Sequence, residues 1–250
     1  MKTMKATILG EKIQLVSETF EVGNSFSMRI KENNPRLVGW VYARLQTHEH
    51  PVLIDVGAHT GQYTLLAALL PELRVHAFEP VFITTLMANA RVNNLMKRVE
   101  FYNCALGNEI SEGVIHVPNT DREDIPVGAR IGSHATMSEE IPKVFGADWH
   151  DKQTVISTLD TVCMRDNIEP TLIKIDTEGM DKFVIEGGEE TIRKYKPDIL
   201  VEFVAEHTAR FGYGPAQITC LLHSWGYTCK VMGNDAACIH GAEKSEIWEL

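Results

Sequence analysis

From residue 52 onward the chain alternates short apolar runs with stretches of helical periodicity. Val52-Leu53-Ile54-Asp55-Val56 is an apolar run of strand length that ends at a glycine, the pattern of a parallel strand buried on both faces. Residues 61–70 read as a crossover helix, Arg74–Phe78 as a second strand, and residues 82–95 as a second helix with Phe82, Leu86 and Ala90 on one face. Val99–Ala105 predicts a third strand. Leu172–Asp176 and Ile199–Phe203 predict a fourth and a fifth, separated by a helix over residues 180–195. Tyr227–Val231 and Glu246–Leu250 read as two closing strands with an antiparallel member. Strands alternating with helices imply an α/β, doubly wound, parallel sheet whose ligand lies at the carboxyl ends of the strands.

Two regions stand outside this rhythm. Residues 6–30 alternate weakly through Ile8, Ile13, Leu15, Val16, Phe20 and Val22, with Gly10 and Gly23 as breakers, and residues 35–47 open on a proline with apolar residues at helical spacing. A hairpin or arm followed by a helix is therefore expected over residues 1–50, ahead of one large domain over residues 51–250. Residues 108–156 carry Gly113, Pro118, Pro126, Gly128, Gly132, Pro142 and Gly146 without a strong period. They read as a long insertion with a hairpin, of a length found in lids, binding loops or disordered segments.

Composition narrows the partners. With 250 residues, 24 Lys+Arg against 34 Asp+Glu give a net charge of −10, which argues against capture of phosphate backbones or an anionic membrane. No nucleic acid is therefore expected as substrate. No apolar run is long enough to span a bilayer, and the first residues lack the apolar core of a signal peptide. Cys104, Cys163, Cys220, Cys229 and Cys238 are odd in number and form no C-x-x-C pair, so reduced, mostly buried thiols in a cytoplasmic protein are expected. His48-Glu49-His50 reads as a solvated turn. The sequence sets no oligomeric state.

The sharpest local feature is Asp55-Val56-Gly57-Ala58-His59-Thr60-Gly61, directly after the first strand. Its glycines permit a tight turn and close approach of a ligand, but the spacing is not that of a dinucleotide loop. A carboxylate at the strand end would repel a diphosphate and suit a cationic ligand. S-adenosylmethionine carries a sulfonium and an ammonium and no phosphate. Glu79-Pro80, after the second strand, places an acid where it can accept ribose hydroxyls. Ala105-Leu106, after the third, offers small residues and backbone groups to an adenine.

Three segments, VLIDVGAHTGQYT (52–64), AFEP (77–80), and STLDTV with LIKIDTEGMDKFVIEGG (157–162 and 172–188), resemble the FkbM-type family of class I S-adenosylmethionine-dependent methyltransferases. The resemblance covers about residues 50–205, and the third segment is the more family-specific. It implies a Rossmann-like class I fold of about seven strands, with O-methylation of a hydroxyl on a sugar or natural product. It also implies that Asp55, Gly57, Ala58 and Gly61, with His59 and Thr60 in the same loop, line the methionine part of the cofactor. Glu79 and Pro80 would meet the ribose, and Ala105 and Leu106 would lie near the adenine. His59 departs from the small polar residue, such as Asn, that the family more often has.

Methyl transfer requires an acceptor oxygen held in line, and a base or metal eases loss of its proton. Asp176 and Glu178, at the tip of the fourth strand, are the candidate catalytic carboxylates, with Asp176 also beside the cofactor. His207, beyond the fifth strand, is the candidate base. Helix capping by the two acids is the structural alternative. A divalent ion on Asp176, Glu178 and Glu202 is chemically reasonable, and the sequence leaves the metal unknown. Phe211 and Tyr213, in a glycine-rich loop, are candidate acceptor-stacking residues, ahead of Trp149 and Trp225.

The expected partner is a small-molecule or glycan hydroxyl. An N-methyltransferase of another small molecule or a protein, and a non-catalytic S-adenosylmethionine-binding module, are the alternatives. A base-methylating enzyme would be expected to carry an (Asp/Asn/Ser)-Pro-Pro-aromatic loop where this chain has Asp176-Thr177-Glu178-Gly179. A nicotinamide oxidoreductase is disfavoured by the loop glycine spacing and by Asp55. Residues 108–160 hold ten acids against four bases, which predicts that the insertion repels polyanionic acceptors.

Overall fold

The computed structural model describes residues 2–17, 35–118, 136–138 and 149–243. An antiparallel hairpin, β1 (Lys2–Ile8) and β2 (Glu11–Ser17), precedes helix α1 (Pro35–Gln46). Strand β3 (Val52–Val56), a 3₁₀ segment (Thr64–Ala68), β4 (Arg74–Phe78), α2 (Ile83–Val92) and β5 (Val99–Tyr102) follow. Next come β6 (Ala105–Leu106), β7 (Ser111–Pro118), β8 (Trp149–Ser157) and α3 (Leu159–Asp166). The second half adds β9 (Leu172–Ile175), α4 (Asp181–Glu186), α5 (Glu189–Tyr195), β10 (Asp198–Glu202), α6 (Ala205–Ala209), α7 (Ala216–Ser224), β11 (Tyr227–Met232) and β12 (Asp235–His240).

Seven strands form one sheet in the order β11-β12-β10-β9-β3-β4-β5, parallel from β10 to β5, with β12 antiparallel to its neighbours. The expected doubly wound architecture is therefore present. Alternation along each strand divides the core into two layers. Leu53, Val75, Leu172 and Leu200 face the layer built by the N-terminal hairpin, α1, the 3₁₀ segment and α2. Ile54, Val56, Ile173, Ile175, Ile199 and Val201 face the layer built by α3, α4, α5 and α7. The order of strands reverses between β3 and β9, and an open α/β sheet leaves a crevice at that point.

Several local readings change. Residues 61–70 form a short 3₁₀ segment instead of an α-helix. Asp55 Oδ2 takes both Thr64 N–H and Thr64 Oγ1, at 2.9 and 2.6 Å, which ties the segment to β3. The helix expected over 180–195 is two, broken at Gly187-Gly188. The Asp160 carboxylate accepts from Glu190 N and Thr191 N and so restarts it at α5. Thr158 caps α3 through Thr161 N, as a lead-in.

The third strand stops at Tyr102, because Ala105-Leu106 pairs with Ile156-Ser157 of β8 in a separate three-stranded sheet, β6-β8-β7. That sheet is the hairpin of the insertion. The second closing strand is Asp235–His240, turned back after β11 at Gly233-Asn234. Residues 246–250, like Phe20, Val22 and Gly23 and most acids of the insertion, lie outside the described residues. His48, Glu49 and His50 form an exposed turn, as expected. Among the described residues no helix is long and apolar enough to cross a membrane.

The reduced-thiol expectation is corrected. Cys229 and Cys238 stand opposite each other in the β11–β12 register and form a disulfide, while Cys104, Cys163 and Cys220 are thiols. Spacing could not reveal a pairing that strand register creates. Titration of denatured, unreduced protein with a thiol reagent should find three reactive cysteines of the five, rising to five after reduction. Five without reductant would remove the bond from the native protein.

Candidate active site

A cleft opens at the carboxyl ends of β3, β4 and β9. The turn after β3 supplies Val56, Gly57 and His59; the turn after β4 supplies Glu79, Pro80, Val81 and Phe82; and Cys104, Ala105 and Leu106 form the far wall. Asp176, Thr177, Glu178 and Met180 of the neighbouring β9 turn, with Ile115, Thr136 and Met137, complete the lining.

The β3 turn is shaped by what lies beneath it. Gly57 has φ +70°, and a Cβ there would strike the carbonyl oxygen of Asp176, so this position excludes side chains on both grounds. Asp55 is fully buried and points away from the cleft. It is the register partner of Lys174 on β9. Lys174 Nζ stands 3.6 Å from Asp55 Oδ1 and 3.5 Å from Asp176 Oδ2, and donates to the carbonyls of Val56 and Gly57 at 3.3 and 2.9 Å. Burial disfavours this ammonium, but Asp176, Asp55, Asp235 and Glu202 outweigh burial and hold its pKa above the usual lysine value. Lys174 thus joins the first loop to the tip of β9.

Glu79 is buried and accepts three backbone amides, from His59 at 2.7 Å and from Val81 and Phe82 at 2.7 and 2.9 Å. Burial raises its pKa, against the amides and Lys174, which lower it. Its carboxylate is fixed across the cleft wall by two turns at once. His59, at φ +51°, lays its ring on Phe82 with centroids 4.3 Å apart. Ala58, Thr60 and Gly61 are buried and do not line the cleft. Thr60 instead anchors the loop by accepting Asn89 Nδ2 on its carbonyl. Of the eleven residues expected around a cofactor, Gly57, His59, Glu79, Pro80, Ala105, Leu106 and Asp176 face the cleft.

On the other side the acids are organised by a residue absent from the sequence expectations. Asp181, fully buried at the first turn of α4, accepts Thr177 N, Thr177 Oγ1 and Gly179 N. It holds the turn ahead of α4 through groups that precede the helix, while Asp176 and Glu178 line the cleft. Its signal was the spacing itself, an aspartate four residues after Thr177 at a helix start. Asp176 is 43% exposed at the side chain, whereas Glu178 is 11% and Glu202 12%. His207, on α6, places Nδ1 3.0 Å from Glu202 Oε2 and 3.2 Å from Glu178 Oε2. Glu206 is exposed.

Phe211 and Tyr213 do not line the cleft. Tyr213 Oη donates to the Gly179 carbonyl at 2.7 Å and its ring packs edge-on against Phe183; the Phe211 ring fills the space beside Gly179. Both support the β9 turn from behind, so their aromatic surface is spent on packing. Trp149 and Trp225 also lie off the cleft.

The carboxylates raise one another's pKa. Burial first, then Asp176, Asp181, Glu178 and Asp235, push Glu202 up to about 11. Burial, then Asp176 and Asp181, push Asp235 up to about 7, with Lys174 opposing; burial and Asp176 push Asp181 up to about 6. A carboxyl raised in the folded state keeps a proton that the unfolded chain has lost, so its contribution to stability falls as pH rises. For Asp235 this loss runs from about pH 4 to about pH 7. The midpoint of thermal unfolding in EDTA should therefore drop between pH 5 and pH 8, and Asp235→Asn should flatten that drop. An Asp235→Asn profile parallel to the parent would show that this carboxyl carries none of it.

The family model for the methyltransferase FkbM domain matches residues 55–229. Methyltransferase FkbM from Methylobacillus flagellatus KT is similar in structure, with TM-score 0.51 and 14% identity over 90% of this chain; the chain spans just over half, 56%, of that protein. Precorrin-6y C5,15-methyltransferase from Geobacter metallireducens GS-15 has TM-score 0.45 and 13% identity, covering 82% of this chain and 86% of that one. A SAM-dependent O-methyltransferase from Thermotoga maritima has TM-score 0.43 and 9% identity, covering 97% and 78%. No curated protein matches the chain in sequence. With the family model spanning the β3 loop, the β4 acid and the β9 turn that build the cleft, the chain belongs to the methyltransferase FkbM domain family.

Proposed function

We propose that the protein transfers a methyl group from S-adenosylmethionine to a hydroxyl of a small molecule, a sugar or a natural product. The observation that carries this reading is the lining of one cleft. It brings together a side-chain-free Gly57, the held carboxylate of Glu79, the small Ala105, and the acids Asp176 and Glu178. The donor set fits the cofactor. Among the described residues the cleft lining presents carboxylates and no lysine or arginine, which suits a sulfonium and an ammonium and disfavours a diphosphate. Glu79 faces the ribose, and the His59–Phe82 ring pair and Leu106 supply apolar surface for the nucleoside.

When bound, S-adenosylmethionine supplies an electrophilic methyl. The chain's own residues hold the acceptor. Asp176, the most exposed of the β9-tip acids, orients the acceptor hydroxyl, and the Glu178–His207–Glu202 group receives its proton. Ile115 and Met137 exclude water from above. The acidic wall favours neutral or cationic acceptors, and this specific feature also admits an amine acceptor, which would make the protein an N-methyltransferase.

Calorimetry with S-adenosylhomocysteine tests the placement. One molecule should bind per chain, and Glu79→Ala should weaken it by about 2–3 kcal/mol, a charged acceptor being lost from hydrogen-bonded hydroxyls. Wild-type protein without measurable binding rejects the cofactor, and equal affinity in Glu79→Ala rejects the ribose contact. The acceptor is then sought by incubating with S-adenosylmethionine and scoring sugars, alcohols and amines for one added methyl by mass spectrometry.

A further inference from the structure

Three segments far apart in sequence deliver ligating atoms to one point. Glu178 comes from the turn after β9, Glu202 from the end of β10 and His207 from α6. His207 Nδ1 lies 3.2 Å from Glu178 Oε2 and 3.0 Å from Glu202 Oε2, and one ligating atom from each of the three lies within 4.8 Å of the others. Two ligands held at right angles about 2.1 Å from an ion stand about 3.0 Å apart. Both nitrogen–oxygen separations match neighbouring corners of a single coordination sphere. We propose that Glu178, Glu202 and His207 bind one divalent transition cation of the Mn²⁺, Fe²⁺ or Zn²⁺ class at the acceptor end of the cleft.

The protein-only alternative is a hydrogen-bonded cluster, and two features weigh against it. Nδ1 carries at most one proton, so it serves two facing carboxylate oxygens less well than a dipositive ion serves both. Among the described residues the surroundings also hold more negative charge than positive. Asp176, Asp181 and Asp235 act on Glu202 together with Glu178, while the nearby ammonium of Lys174 is held between Asp55 and Asp176. A buried carboxylate in that field calls for a compensating positive charge, which a bound cation supplies. The mixed donor set points to the class of ion: one imidazole with two carboxylates suits ions that accept nitrogen and oxygen together, whereas Mg²⁺ and Ca²⁺ prefer oxygen alone.

The position also has chemical meaning, because Glu178 is both part of the cluster and part of the cleft wall. An ion there would lower the pKa of a hydroxyl brought against it and so ease transfer of its proton to the Asp176 carboxylate before methyl transfer, the three ligands then holding the ion in place of receiving the proton. This catalytic role rests on the methyl-transfer reading above. Ion binding does not.

Protein stripped with EDTA and dialysed would be titrated with Mn²⁺ alone, followed by electron paramagnetic resonance of the unbound ion. One Mn²⁺ should bind per chain and be displaced by Zn²⁺. Glu202→Gln and His207→Ala should each weaken it by about tenfold or more, while both variants still bind S-adenosylhomocysteine as a check that they are folded. Glu178→Gln provides a third arm should either fail to fold. Wild-type protein that binds S-adenosylhomocysteine but neither ion overturns the metal site. So does Mn²⁺ affinity that survives unchanged in the folded variants. Mn²⁺ binding lost in the variants, in a protein that never binds S-adenosylhomocysteine, would leave the ion site standing and reject the methyl-transfer reading.

Discussion

Lys174→Met is expected to lower the unfolding free energy by about 3–5 kcal/mol, the cost of leaving buried charge without its partner. The ammonium is 6% exposed, and Asp55, its register partner on the next strand, is fully buried. Asp55 Oδ2 is occupied by Thr64, but Oδ1 accepts no hydrogen bond and is answered by Lys174 Nζ at 3.6 Å. Methionine keeps most of the volume and some of the contact with the Tyr63 ring, so the loss reports charge and not packing. Replacing Asp55 by Asn in the same chain should recover part of it, because the orphaned charge is then gone. Urea unfolding followed by circular dichroism would measure both. A loss below about 1 kcal/mol for Lys174→Met would mean that solvent reaches the pair and that Lys174 does not lock the loop to β9.

Asp176→Asn should reduce turnover by about 10²- to 10⁴-fold, the range for removing a positioned acid or base, with S-adenosylhomocysteine affinity changed by less than about threefold. The change is isosteric, and Asp181, not Asp176, holds the turn. The side chain of Asp176 is the most exposed of the acids that meet at the β9 tip, so it is the one that can reach an acceptor. Lys174 keeps its contact with Asp55, which preserves the fold. The measurement is turnover on an acceptor identified by its added methyl, paired with calorimetry. Equal activity would remove Asp176 from the mechanism, whereas a parallel collapse of cofactor affinity would make it a binding residue.

The legible part of this protein lay in local periodicity. Val52–Val56, Leu172–Ile175 and Ile199–Val201 read as buried strands because burial on both faces demands unbroken apolar runs. The Gly57 turn was legible because its backbone leaves no space for a side chain. Errors fell where a long-range partner overrode local pattern. Thr64 is drawn to Asp55, and Ala105-Leu106 is captured by β8. Phe211 and Tyr213 are turned inward by Gly179 and Phe183.

By itself the sequence determined the doubly wound α/β class, the cleft at the strand tips and eight of the residues facing it, because strand length, apolar runs and turn glycines are constraints on neighbours in the chain. Tertiary structure alone decided which acid supports and which acid faces the cleft. Asp55 and Asp176 flank the same Lys174, yet one is sealed beneath the loop and the other opens to it. It also decided that Asp181 caps the turn, that Glu178, Glu202 and His207 converge, and that Cys229 meets Cys238. These are matters of burial and distance between segments remote in sequence, and electrostatic energy depends on both far more than on residue type.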